Sequence, residues 1–170
     1  MLIFCKGEKW ITFYGIIIKL LVINKINMNN AYNWYSTLVK PSWAPPSWIF
    51  GPVWTVLYVL IAISYGYMIY LFFTKKISFL TLLPFILNLI FNLSFTYFQF
   101  TLQNNFLAAV DILLVLGTLI WAMIAIYIAS LKFSILGQPN ILWVLYLQIP
   151  YLLWVCFATV LQLTVTFLNR

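Results

Sequence analysis

Long apolar runs, broken by short polar or charged stretches, dominate this chain. A bilayer's hydrocarbon core takes about 20 helical residues to cross. Four runs reach that length without interruption, at about 48–73, 77–101, 106–131 and 141–168. They are divided by Lys75-Lys76, by Gln103-Asn104-Asn105, and by the stretch from Lys132 through Pro139-Asn140. A fifth run, at about 10–26, contains Lys19, whose apolar stem can carry its ammonium to the interface when it lies near a helix end. A signal peptide is the competing reading of that run, with Lys6 and Lys9 as its basic flank, but no small-residue cleavage site follows. The pattern predicts an all-α integral membrane protein. It is one domain over 1–170, a bundle of five transmembrane helices, with a loop at about 27–47 between the first two.

Polar and aromatic positions inside the runs mark the faces that avoid lipid. In the third segment Asn88, Asn92, Gln99 and Gln103 recur at spacings of four, seven and four, so four amides share one stripe beside Thr96. An amide facing lipid is unfavourable, so the stripe faces other helices or a cavity. Two readings stand: amides that bridge helices, worth about 1 kcal/mol each, or amides that line a ligand cavity. The second segment carries Trp54, Tyr58 and Tyr65 on one face, as packing or as a ligand platform. In the fourth, Thr118, Ala122, Ala125 and Ala129 form a stripe of small residues that lets helix backbones approach closely. Asp111 is the only acidic residue within the apolar segments. It reads either as a functional carboxyl or as an interfacial group close to a helix N-terminus. In the fifth segment Pro150 deletes a backbone hydrogen bond and loosens the helix. Tyr151, Trp154, Ala158 and Gln162 then share a face: two aromatics and a small residue, a wall with a notch suited to a planar ring or simply to packing.

Composition agrees with the pattern and narrows the chemistry. Hydrophobic residues make up 65% of the chain and charged ones 6%, where a soluble domain carries roughly a quarter charged residues. Mean hydropathy is +1.05. The net charge of +7 is spread over loops and ends rather than gathered on one face. It suits lipid headgroups, and nucleic acid is not an expected partner. Cys5 and Cys156 are far apart and suggest neither a disulfide framework nor a metal site. The chain has no histidine, which excludes a histidine-ligated haem and a histidine general base. Glu8 and Asp111 are too far apart in sequence to suggest a carboxylate dyad, and no phosphate-cradling glycine-rich loop occurs. No metal, no required cofactor and no conventional enzyme activity are expected.

The most informative stretch runs from Trp34 to Trp54, with four tryptophans and four prolines. Prolines fix φ and withhold N–H donors, so the part before Trp48 is expected to be an ordered loop. Tryptophan favours the membrane–water boundary. A rigid aromatic loop at the mouth of a helix bundle reads as a lid over a flat apolar ligand.

These residues carry a resemblance. Trp34-Tyr35-x-x-Leu38-x-Lys40-Pro41-Ser42-Trp43-x-Pro45-Pro46-x-Trp48-x-x-Gly51-Pro52-Val53-Trp54-x-x-Leu57-Tyr58 resembles the signature of the TspO/MBR family, which holds the tryptophan-rich sensory proteins and the mitochondrial translocator proteins. Ala109-Val110-Asp111-Ile112-Leu113-Leu114-Val115 and Pro150-Tyr151-Leu152-x-Trp154-Val155-x-Phe157-Ala158-Thr159 agree with it in order and spacing. The resemblance implies a five-helix bundle, often a homodimer, that binds porphyrins and other haem-type tetrapyrroles. Its pocket lies among the first, second, fourth and fifth helices under the first loop. By motif, Trp54 and Trp154 match the pocket tryptophans linked with porphyrin binding and light-dependent porphyrin breakdown. Ala158 matches the small position beside the ligand, and Asn92 the asparagine of the third helix. Candidate ligand-binding residues are therefore Trp54, Tyr58, Asn92, Tyr151, Trp154 and Ala158. Candidate lid residues are Trp34, Lys40, Pro41, Trp43, Pro45 and Pro46. A tetrapyrrole would be held mainly by ring burial, with Lys25 or Lys40 near its propionates.

The chain departs from the family's pattern at Asn92-Leu93-Ser94-Phe95, where further tryptophans are usual, and at Leu161-Gln162, where Leu-Asn is usual. Leu163 stands where a tyrosine accompanies sterol recognition, so sterol is a doubtful ligand. The region before Pro150 is also longer than usual. The expected function is a membrane receptor or regulator for a tetrapyrrole. The alternatives are a transporter of porphyrins or amphipathic molecules and a light-dependent porphyrin-degrading activity. A bacterial cell membrane and a mitochondrial outer membrane suit the chain equally.

Overall fold

Each of the four uninterrupted apolar runs forms a helix, because in lipid a chain can satisfy its N–H and C=O groups only within the segment itself. The computed structural model describes residues 34–170. The expected first helix at about 10–26, the expected loop up to residue 33, and Cys5 and Lys25 lie outside the described residues. The backbone falls into two units, Met1–Leu38 and Val39–Arg170. Of the first, residues 34–37 form a helical turn, in which Thr37 Oγ1 donates to the Trp34 carbonyl at 2.7 Å.

In the second unit a loop over 39–46 leads through a 3-10 turn, Ser47–Ile49, into α1, Phe50–Phe73. Then follow α2, Phe79–Thr96, a π turn at Tyr97–Thr101, α3, Asn105–Ile135, and α4, Leu142–Leu168. These are the second to fifth expected segments, and all four are long and apolar enough to cross a membrane. The protein is an all-helical, multi-pass integral membrane protein.

Local chemistry explains the ends. α3 has 31 residues, about 46 Å at 1.5 Å per residue, which is longer than the hydrocarbon core of about 30 Å. It runs past the expected stop near residue 131 because Lys132, in its last turn, can reach headgroups while its backbone stays helical. The stop comes at Gly137, whose φ of 65° only glycine adopts without strain. There Gly137 N–H donates to Ser134 O at 3.2 Å and Gln138 N–H to Phe133 O at 2.9 Å, which closes a Schellman cap. α1 ends in the same way at Lys75, with φ of 58° and bonds from Lys75 to Phe72 and from Lys76 to Leu71. Ser78 and Asn104 cap the starts of α2 and α3, and Asn104 Oδ1 accepts from Leu107 N–H at 3.0 Å.

α3 packs most extensively against α2 and α4, and α1 packs against α4 and, over a shorter stretch, α2. The core between them holds Leu57, Met68 and Leu71 of α1, Phe85 of α2, Leu119 and Ile126 of α3, and Val144 and Val155 of α4. The expected small-residue seam is inside: Thr118, Ala122 and Ala129 are buried and Ala125 is half-buried. Among the described residues Phe106, Ile124, Ile128 and Leu131 are exposed, an apolar surface suited to lipid.

Candidate functional site

Two asparagines one turn apart on α2 organise the middle of the helix packing. Asn88 Nδ2 donates to Val115 O at 2.9 Å and to Thr118 Oγ1 at 3.1 Å, tying α2 to α3. Its Oδ1 accepts from the Tyr65 hydroxyl of α1 at 2.7 Å and the Tyr151 hydroxyl of α4 at 3.1 Å. Asn92 Nδ2 donates to Tyr151 Oη at 2.8 Å, and its Oδ1 accepts from the Tyr58 hydroxyl at 3.1 Å. One amide–phenol chain therefore joins all four described helices, and both asparagines are buried. Among apolar side chains each such bond holds its partner in one rotamer, because the alternative is an unsatisfied polar group in a low-dielectric interior. A second pair, Gln148 Nε2 to Ser64 Oγ, ties α4 to α1.

Aromatic rings flank this chain in two groups. Trp54 lies 5.3 Å from Tyr58 and 6.3 Å, edge-on, from Tyr151, measured between ring centroids. Trp154 lies 5.7 Å from Phe50, edge-on, and 5.6 Å from Phe157. The loop's Trp43 reaches Phe157 at 6.0 Å. The indole Nε1 of Trp154 is buried and has no hydrogen-bond partner among the described residues. Ala158, one turn further along α4, is half-buried.

Of the expected ligand residues, Trp54, Tyr58, Asn92 and Tyr151 form one contacting cluster. Trp154 stands in the second ring group, and Ala158 follows it on α4. Among the lid residues Trp43 joins the Trp154 group, Lys40, Pro41 and Pro45 are half-buried, and Pro46 is exposed. Trp34 belongs to the first unit and is half-buried there.

The amide stripe holds only in part. Asn88 and Asn92 bridge helices and Gln99 is buried, but Gln103 leaves the stripe. The π turn at Tyr97–Thr101 carries more residues per turn than an α-helix, so it rotates everything after it out of phase. Gln99 is buried with neither side-chain atom partnered, and Gln103 is exposed in the loop with φ of 51°. Gln162 is buried as well, but it bonds to Asn105 O and Thr166 at 3.4 Å rather than joining Tyr151. Asp111 is 3% exposed, and its Oδ2 has no hydrogen-bond partner among the described residues. Phe50 and Phe157, the neighbours of Trp154, were not among the candidate ligand residues, although Phe157 lies in the quoted motif and Phe50 is within four positions of Trp54.

The model of the TspO/MBR family matches residues 11–168. Tryptophan-rich protein TspO of Bacillus cereus is 42% identical over 139 residues, which cover 80% of each chain. Tryptophan-rich protein TspO of Chlorobaculum tepidum is 35% identical over 136 residues, 80% of this chain and 79% of the relative. Human translocator protein is 35% identical over 133 residues, 76% of this chain and 70% of the relative.

Proposed function

The chain belongs to the TspO/MBR family, and on that premise we propose that it is a membrane receptor or regulator for a flat tetrapyrrole of the porphyrin class. The observation that carries this reading is the buried, unpartnered Trp154 Nε1, set among Phe50 and Phe157 and one turn from half-buried Ala158. A buried N–H without an acceptor is unfavourable in this chain alone, and an acceptor atom on a bound ring relieves it. Ala158 leaves room beside the indole for a ring edge. Trp54, Tyr58 and Tyr151 supply the opposite aromatic wall, and Asn92 holds Tyr58 and Tyr151 in place. Most of the affinity comes from burying apolar ring area, and the amides and phenols set orientation.

Such a site binds rather than turns over. It offers indoles, phenols and amides, and the chain has no histidine. Light-dependent porphyrin breakdown is then a side reaction of an excited ligand with oxidisable tryptophan, needing Trp54 and Trp154 under illumination only. Transport is a second reading, and one observation favours it. Asp111 is a buried carboxyl with an unpartnered oxygen inside a transmembrane helix, a feature common on membrane substrate paths.

The test is quenching of tryptophan fluorescence by protoporphyrin IX in the dark, in the unmodified protein and in Trp54→Phe and Trp154→Phe. Saturable micromolar binding that weakens in both variants is expected. Folded protein without saturable binding sinks the tetrapyrrole assignment. Protoporphyrin efflux from proteoliposomes that depends on Asp111 decides for transport.

A further inference from the structure

We propose that Asn169 is a positioning residue that latches the loop over 39–46 to the end of α4 and so sets how often that loop lifts; its consequence for ligand exchange rests on the reading above. Asn169 follows the last residue of α4 as its C-cap. Its Oδ1 accepts from Val39 N–H at 2.9 Å, while its Nδ2 donates to Val39 O at 2.9 Å and to Val165 O at 2.8 Å. Both amide hydrogens and one acceptor position are committed. Capping the helix requires only the bond to Val165. The other two grip both polar backbone groups of one residue 130 positions away, as a neighbouring strand residue does in a hydrogen-bonded antiparallel pair.

The loop between this grip and α1 is stiff. Pro41, Pro45 and Pro46 fix φ, and Ala44 N–H donates to Pro41 O at 3.0 Å to close a turn. Among the described residues a second tether is Trp43 against Phe157, which in turn touches Trp154. A stiff segment lifts more often when one of its tethers is weakened. Of these two, the Asn169 grip opens the more readily. Val39 is 58% exposed, and Asn169 lines an open cleft of about 400 Å³ together with Asn104 and Thr166. Water can therefore replace these bonds, which makes them weak enough to open and reclose.

Hydrogen–deuterium exchange of the ligand-free full chain tests the latch without any ligand. In Asn169→Ala, peptides covering 39–44 are expected to exchange about fivefold faster, the effect of losing roughly one net hydrogen bond, while peptides from the middle of α3 are unchanged. Asn169→Asp keeps the acceptor for Val39 N–H but sets a carboxylate against two carbonyls, so it is expected to behave like Asn169→Ala. Dark stopped-flow with protoporphyrin IX then reads the gate: association and dissociation both speed up, and Kd changes by less than about twofold. A purely structural role would instead lower Tm and weaken Kd. Unchanged exchange over 39–44 in both variants overturns the latch, and faster exchange with both rates unchanged overturns its control of the lid. If the unmodified protein binds no protoporphyrin, the tetrapyrrole reading falls and the exchange data alone decide the latch.

Discussion

The two aromatic groups use similar residues and are built on opposite terms. Around Trp54 every phenol and amide is spoken for: Tyr58, Tyr65 and Tyr151 donate to Asn88 or Asn92, and Asn88 also reaches α3. Around Trp154 the described contacts are ring contacts to Phe50 and Phe157, and the indole N–H has no partner among the described residues. Hydrogen bonds in a low-dielectric interior fix direction as well as distance, whereas ring contacts tolerate sliding. The Trp54 side is therefore scaffold, and the Trp154 side, which also meets the loop through Trp43, is where the molecule can adjust.

Removing the hub should break this contrast most. Asn88→Leu deletes four hydrogen bonds and strands the Tyr65 hydroxyl in the core, so a loss of about 3 kcal/mol is expected at roughly 0.6–1 kcal/mol per bond. Thermal unfolding in detergent micelles checks it, and a Tm within error of the unmodified protein would remove the scaffold argument. Ala158→Leu acts on the other side. It fills the notch beside Trp154 and is expected to weaken protoporphyrin binding about tenfold, or 1.4 kcal/mol, with little change in Tm. Equal affinity by fluorescence titration would place the ligand elsewhere. Tyr58→Phe is the smallest change, deleting one bond from a phenol that is 40% exposed. About 0.6 kcal/mol of stability is expected to go. A loss as large as that of Asn88→Leu would show that Asn92, not Asn88, anchors the chain of bonds.

Much of this was legible from spacing. Asn88 and Asn92, four apart in an apolar run, were expected to face other helices or a cavity, and they bridge helices. Tyr65 and Tyr151 fell on the inward faces that their periodicity assigned. The same periodicity placed Gln99 inside but misplaced Gln103, because it assumes one residue count per turn and the π turn at Tyr97–Thr101 breaks that count. Asp111 was read as equally suited to an interface because helix position alone does not say how deeply a neighbour covers a side chain.

Membrane class and the four described spans were settled by the sequence. Run length against bilayer thickness, proline and the Trp34–Tyr58 motif are all local properties of the chain. Which amide meets which phenol, why Trp154 lacks an acceptor, and the grip of Asn169 on Val39 were decided only by the tertiary structure. Those depend on the register between helices and on contacts across as many as 130 positions, and local spacing carries no information about either.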